Sequence, residues 1–125
     1  MSRIMIVEDD KRIVKSLTIR LKAAGFDVSV AFDAAMAMTV AVNDKPDLAI
    51  LDISMPAGNG FQVADRLQSN VNTAGIPMIF MTASKKPGLR EQAEKYDAVG
   101  FFRKPYDGEE LLDTVRLALE VESYD

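Results

Sequence analysis

The chain contains no cysteine and no histidine. The first absence removes disulfides, thiolate nucleophiles and thiolate metal ligands. The second removes a serine–histidine triad, a histidine-bearing zinc site and any phosphohistidine on the chain itself. Long apolar runs are missing too: nothing approaches the ~20 residues that a membrane-spanning helix needs. There is no basic block, the net charge is −4 and the pI is about 4.8, which argues against unaided binding to nucleic acid. The opening Met-Ser-Arg leads into a short apolar run that soon meets acids, unlike a secretory signal, so the cytoplasm is the expected compartment. Chemistry on this chain falls to carboxylates, hydroxyls, lysine and arginine.

What is present suits a globular protein. Hydrophobic residues make up 48% and charged residues 27% of 125, so one domain over residues 1–125 with one substantial core is expected. The carboxylates of Glu8, Asp9, Asp10 and Asp52 equal the whole net charge. With those four set aside, acids and bases balance at 15 each.

Apolar runs alternate with helical periods along the chain. Ile4-Met5-Ile6-Val7 reads as a strand buried on both faces. From Lys11 to Ala24, Ile13, Val14, Leu17, Leu21 and Ala24 share one helical face, and Gly25 supplies the stop. Phe26–Ala31 predicts a second strand, with Phe26, Val28 and Val30 alternating against Asp27 and Ser29. Residues 33–43 are helical by composition; Met36 and Met38 sit about 200° apart there, so one of them faces outward. Leu48–Leu51 forms a third strand that leaves at Asp52. A turn-rich segment at 55–60 precedes a third helix marked by Phe61, Ala64 and Leu67. Ile76–Met81, a weaker helix over 87–96 and Val99–Arg103 follow. Asp107 and Glu110 then predict a capping box for a last helix, whose face is Leu111, Leu112, Val115, Ala118 and Leu119. Five strands and five helices in strict alternation predict a doubly wound α/β fold, a parallel sheet with helices on both faces.

Sites in such folds lie beyond the carboxyl ends of the strands. Strand one ends in Glu8-Asp9-Asp10, strand three in Asp52, strand four in Thr82 and strand five in Lys104-Pro105. Crowded carboxylates raise one another's pKa values, and a hard divalent cation with oxygen ligands relieves the repulsion. Lys104 offers a compact charge for a phosphoryl oxygen and Thr82 a hydroxyl donor. The set reads as metal-assisted phosphoryl transfer with an aspartate nucleophile. Taken singly, Asp9 and Asp10 read as helix caps, Thr82 as a strand-end threonine and Lys104 as a loop lysine. Their joint placement carries the reading, and Asp10 is the acid left as the cap.

The sequence resembles the receiver domain of two-component response regulators. The resemblance rests on Ile4–Asp10, Pro46–Pro56, Gly60, Ile79–Ser84 and Gly100–Pro105, in order and across essentially the whole chain. It implies a flavodoxin-like five-stranded sheet in the order 2-1-3-4-5 and a cis peptide between Lys104 and Pro105. It further implies that Asp52 is the phosphoacceptor and that Mg²⁺, or Mn²⁺ in its place, binds Glu8, Asp9, Asp52 and the Ser54 carbonyl. Thr82, Ala83 and Lys104 would meet the phosphoryl group, with Phe101 as the switch aromatic. The implied donor is a histidine kinase or histidine phosphotransfer protein, and the implied output is a protein contact on the face of helix 4, strand 5 and helix 5. No nucleic-acid or membrane partner and no turnover of a separate substrate are expected. The chain reads as a stand-alone regulator or as the N-terminal part of a longer one.

Arg12, Ser16, Ile19 and Ala23 recur at helical spacing opposite the core stripe of the first helix. Ile19 is a large apolar residue in that outward row, which suggests a docking face for the donor. The alternative function is a Mg²⁺-dependent phosphatase of haloacid-dehalogenase type. That chemistry calls for a second aspartate two residues after the nucleophile, and here Ser54 stands at that place. A nucleotide binder of flavodoxin type would need a glycine- and hydroxyl-rich loop where Glu8-Asp9-Asp10 stands.

Overall fold

The computed structural model describes residues 1–55 and 59–123. Five strands, β1 (Arg3–Val7), β2 (Asp27–Ala31), β3 (Leu48–Asp52), β4 (Met78–Thr82) and β5 (Gly100–Arg103), form one parallel sheet in the order β2-β1-β3-β4-β5. Between and after them lie α1 (Lys11–Ala23), α2 (Ala34–Asp44), α3 (Gly60–Ser69), α4 (Leu89–Glu94) and α5 (Gly108–Ser123). The alternating class expected from the sequence pattern and the strand order implied by the resemblance are both found.

The period-two alternation of strands sorts the core into two layers. Ile4, Ile6, Leu48, Ile50, Ile79 and Met81 pack against Val14, Leu17 and Leu21 of α1 and Leu111, Leu112 and Val115 of α5. Their sequence neighbours Met5, Val7, Ala49, Leu51, Met78 and Phe80 point the other way, toward α2, α3 and α4. Small residues let α2 lie close: Ala34, Ala37 and Ala41 are all buried, with Met38 half-buried and Met36 exposed. Burial of each large apolar side chain contributes about 1.5–3 kcal/mol. Both faces of the central strands are covered, as their unbroken apolar runs require.

Helix ends follow local chemistry. Asp10 Oδ1 accepts the Arg12 N–H at 2.9 Å and starts α1, and Gly25 (φ 96°) ends it in the left-handed region. At α3, Asn59 and Gln62 form a reciprocal capping box that the sequence reading did not anticipate. Asp107 caps α5 as expected: its Oδ1 accepts the Glu109 N–H at 2.8 Å. The helix expected over 87–96 is shorter, because Pro87 and Gly88 (φ 85°) hold its entry and Ala93 is its one buried residue.

Ser29, on the polar side of the β2 alternation, is buried: its hydroxyl donates to Asp44 Oδ2 at 2.7 Å and accepts from Arg3 Nη1 at 3.0 Å. β2 is an edge strand, so Val28 and Val30 are only half-buried while a polar cluster covers the opposite side. Of the turn-rich segment, residues 56–58 lie outside the described residues. The Lys104–Pro105 peptide is cis.

Candidate functional site

The site lies where strand order reverses, between β1 and β3, with β4 and β5 alongside. Parallel register brings Val7 beside Leu51, Asp52 beside Met81 and Thr82 beside Arg103, so the residues that follow these positions gather at one edge. Carboxylate oxygens of Glu8, Asp9 and Asp52 all lie within 4.8 Å of one another. Glu8 and Asp52 are buried, while Asp9 faces solvent. Lys104 Nζ enters the cluster, 2.6 Å from Glu8 Oε1 and 3.8 Å from Asp52 Oδ2. Its closest partner is therefore Glu8, with Asp52 a second, longer ion pair.

One device closes three of these loops. The Asp10 N–H donates to Glu8 Oε2 at 3.3 Å, the Ser54 N–H to Asp52 Oδ1 at 3.0 Å, and the Ser84 N–H to Thr82 Oγ1 at 3.0 Å. In each, a side-chain oxygen at the strand end captures the amide two residues on, a local bond typical of short polar side chains. The Ser54 and Thr82 hydroxyls lie 2.9 Å apart, joining the second loop to the third. Ser84 and the Ser54 hydroxyl are the contributors that sequence reasoning missed, and a serine two residues beyond Asp52 and beyond Thr82 was the available signal. Gly60 is required by a close approach: a Cβ there would lie 2.8 Å from the Asp52 carbonyl oxygen. That contact seats the start of α3 against the end of β3.

The electrostatics match the crowding. Burial raises the Glu8 carboxyl above its ordinary range, and the hydrogen bond with Asp52 adds to the rise, with Lys104 opposing it. Asp9 is raised as well, by desolvation and by its hydrogen bond with Glu8; its exposure means that solvent screens part of the effect. Hard oxygen donors, close together and disfavoured in joint ionisation, fit a divalent cation.

The other singled-out residues lie around this centre. Ala83 is exposed just beyond Thr82. Phe101 is half-buried in β5, beside Phe80 in register and flanked by the guanidinium carbons of Arg90 and Arg103, 4.8 and 5.4 Å from its ring centre. Arg12, Ser16, Ile19 and Ala23 form the outward row of α1, and Ile19 is 61% exposed. They line a groove of about 680 Å³ between α1 and α5. Arg12 and Ser16 also line an adjoining depression that reaches Lys104 and Tyr106.

Residues 4–116 match the family described as response regulator receiver domain. The chain belongs to that family. This receiver domain is 37% identical over 121 residues to the DNA-binding dual master transcriptional regulator RpaA of Synechocystis, covering 95% of the present chain and 49% of RpaA. It thus spans about half of that relative's length. It is 33% identical over 119 residues to protein PilH of Pseudomonas aeruginosa, covering 95% of this chain and 98% of PilH. A response regulator receiver domain protein (CheY-like) from Methanospirillum hungatei superposes with a TM-score of 0.90 at 23% identity, over 99% of this chain and 98% of the other, which shows the same fold. The phosphatase alternative gains no support from these relationships. No helix among the described residues is long and apolar enough to cross a membrane.

Proposed function

We propose that this receiver domain takes a phosphoryl group onto Asp52 from a phosphohistidine, held by a histidine kinase or a phosphotransfer protein, and thereby switches its contacts with another protein. The observation that carries the reading is the convergence of Asp52, Lys104 and the Glu8–Asp9 pair on one strand-end edge. An Asp52 oxygen attacks phosphorus, the P–N bond of the donor breaks, and the imidazole leaves with that electron pair. Asp52 is suited to the role: its Oδ1 is held by the Ser54 N–H, which aims the carboxylate, and it faces Lys104 rather than bulk water.

Glu8, Asp9, Asp52 and the Ser54 carbonyl are the groups that would hold Mg²⁺, or Mn²⁺ in its place. The ion would supply charge neutralisation at the phosphoryl oxygens. Lys104, now on Glu8, is within reach of a phosphoryl oxygen on Asp52, and the Ala83 amide and Thr82 hydroxyl would meet the same group. Thr82 must give up its contact with Ser54 or Ser84 to get there, which makes it the moving part. Phe101, half-buried, has room to respond. The outcome is a conformational signal on the face formed by α4, β5 and α5, with turnover limited to the domain's own phosphorylation and its reversal by water. A cytoplasmic place of work goes with this reading, and protein rather than nucleic acid or membrane as the direct partner. The row Arg12, Ser16, Ile19 and Ala23 would receive the donor. Incubation with a small acyl-phosphate donor should label the domain in Mg²⁺ and leave it unlabelled in excess chelator. Equal labelling with and without the metal would contradict the proposal.

A further inference from the structure

Arg103 occupies the last position of β5, where its charge serves neither the carboxylate cluster nor a described ion pair. Two things hold its side chain. Its Nη1 donates to the Ser84 carbonyl oxygen at 2.6 Å, and its guanidinium carbon lies 5.4 Å from the centre of the Phe101 ring. Positions 101 and 103 are two apart on a strand, so both side chains leave the same face of the sheet. Arg90 of α4 lies against the same ring, at 4.8 Å. Aromatic faces attract guanidinium groups, and no ion pair among the described residues engages either arginine.

Ser84 is also the residue whose N–H holds the Thr82 hydroxyl. A continuous path therefore runs from Ser54 through Thr82 and Ser84 to Arg103, and on to Phe101 and Arg90. The Thr82 hydroxyl is the two-state element of this path, because it can serve the loop or a phosphoryl oxygen. When it turns to the phosphoryl group, the Thr82–Ser84 turn opens and the Ser84 carbonyl shifts. The guanidinium bonded to that carbonyl then loses its anchor.

We propose that Arg103 is a positioning residue that ties the orientation of the Phe101 ring to the Thr82–Ser84 loop, through its bond to the Ser84 carbonyl and its stacking on the ring. The proposal rests on the receiver-switch reading of Thr82 and Phe101. A physical warrant for coupling needs a two-state element that both ends bias; here the Thr82 hydroxyl is that element, and the phosphoryl site and the Arg103–Phe101 stack are the two ends.

The test uses the full chain with a fluorinated phenylalanine at position 101, titrated with beryllium fluoride and Mg²⁺ as the phosphoryl mimic. The Thr82 amide resonance reports the site, and the fluorine resonance reports the ring. In the parent chain both should move together. In Arg103→Gln the Thr82 amide should still shift, with mimic affinity within about twofold, while the fluorine shift falls to less than half. Arg103→Lys, which keeps the charge and a donor but loses the planar stack, should restore part of it. A purely structural arginine would not separate the two signals. A full fluorine response in a folded Arg103→Gln overturns the role of Arg103 and leaves the switch reading standing. A parent chain in which Thr82 responds and Phe101 does not overturns both.

Discussion

Asp9 shows how a single carboxylate can serve function against stability. Its pKa is raised by desolvation and by the bond to Glu8, so the folded chain holds that proton more tightly than the unfolded chain. Stability from this source is present below the ordinary carboxylate value and is lost as pH rises through the raised one. Asp9→Asn should therefore leave the metal-free domain as stable or more stable at neutral pH and flatten that decline, as read by denaturant titration at several pH values. The same change should weaken Mg²⁺ binding by about tenfold or more, the scale seen when even a supporting group of a metal site is lost. Unchanged Mg²⁺ affinity, measured calorimetrically, would remove Asp9 from the site.

At the scale of elements, α1 and α4 stand at opposite extremes of anchoring. α1 buries Val14, Leu17 and Leu21, while its other sides carry Lys11, Arg12, Lys15, Arg20 and Lys22 with no acid within the helix. Ile19 is exposed in the middle of this basic surface. A donor helix docked there would lie along the groove that leads toward Lys104. Ile19→Asp should slow phosphotransfer from the kinase while a small acyl-phosphate donor labels Asp52 at the parent rate. Equal loss by both routes would contradict the docking face. α4, by contrast, spans six residues and buries only Ala93, and Tyr96 just beyond it adds to its hold on the core. The Tyr96 ring stacks on Phe61 at 5.7 Å and its hydroxyl donates to Asp65 Oδ1 at 2.7 Å. Burial and the neighbouring Asp65 push its ionisation from 10 up to about 12. The unfolded chain ionises first, so the stability contributed by Tyr96 is intact below pH 10 and is lost as the pH approaches 12. Tyr96→Phe should cost about 0.5–1.5 kcal/mol at neutral pH, the usual worth of one hydrogen bond, and abolish that alkaline step. Chemical denaturation followed by circular dichroism measures both.

Over the whole molecule, the strand-and-helix alternation was legible because each central strand is apolar on both faces, and only a doubly covered parallel sheet satisfies that. The carboxylate edge was legible for a related reason: polar residues stand at the points where apolar runs stop. Less could be read where tertiary packing overrides pattern. Ser29 is buried because Arg3 and Asp44, distant in sequence, arrive to satisfy its hydroxyl. Lys104 pairs with both Glu8 and Asp52 but lies much nearer Glu8, a difference that spacing cannot give. Arg103 and Ser84 gave no sequence signal as a pair, since their bond spans β4 and β5 through side-chain reach alone. The central claim is that all of this frames one nucleophile, Asp52. The most direct measurement labels the domain from a phosphorylated kinase and reduces the product with borohydride, which converts an acyl-phosphorylated aspartate to homoserine. Homoserine at position 52 alone, and none in Asp52→Asn, is the predicted result; homoserine at another position, or undiminished labelling of Asp52→Asn, would contradict the account.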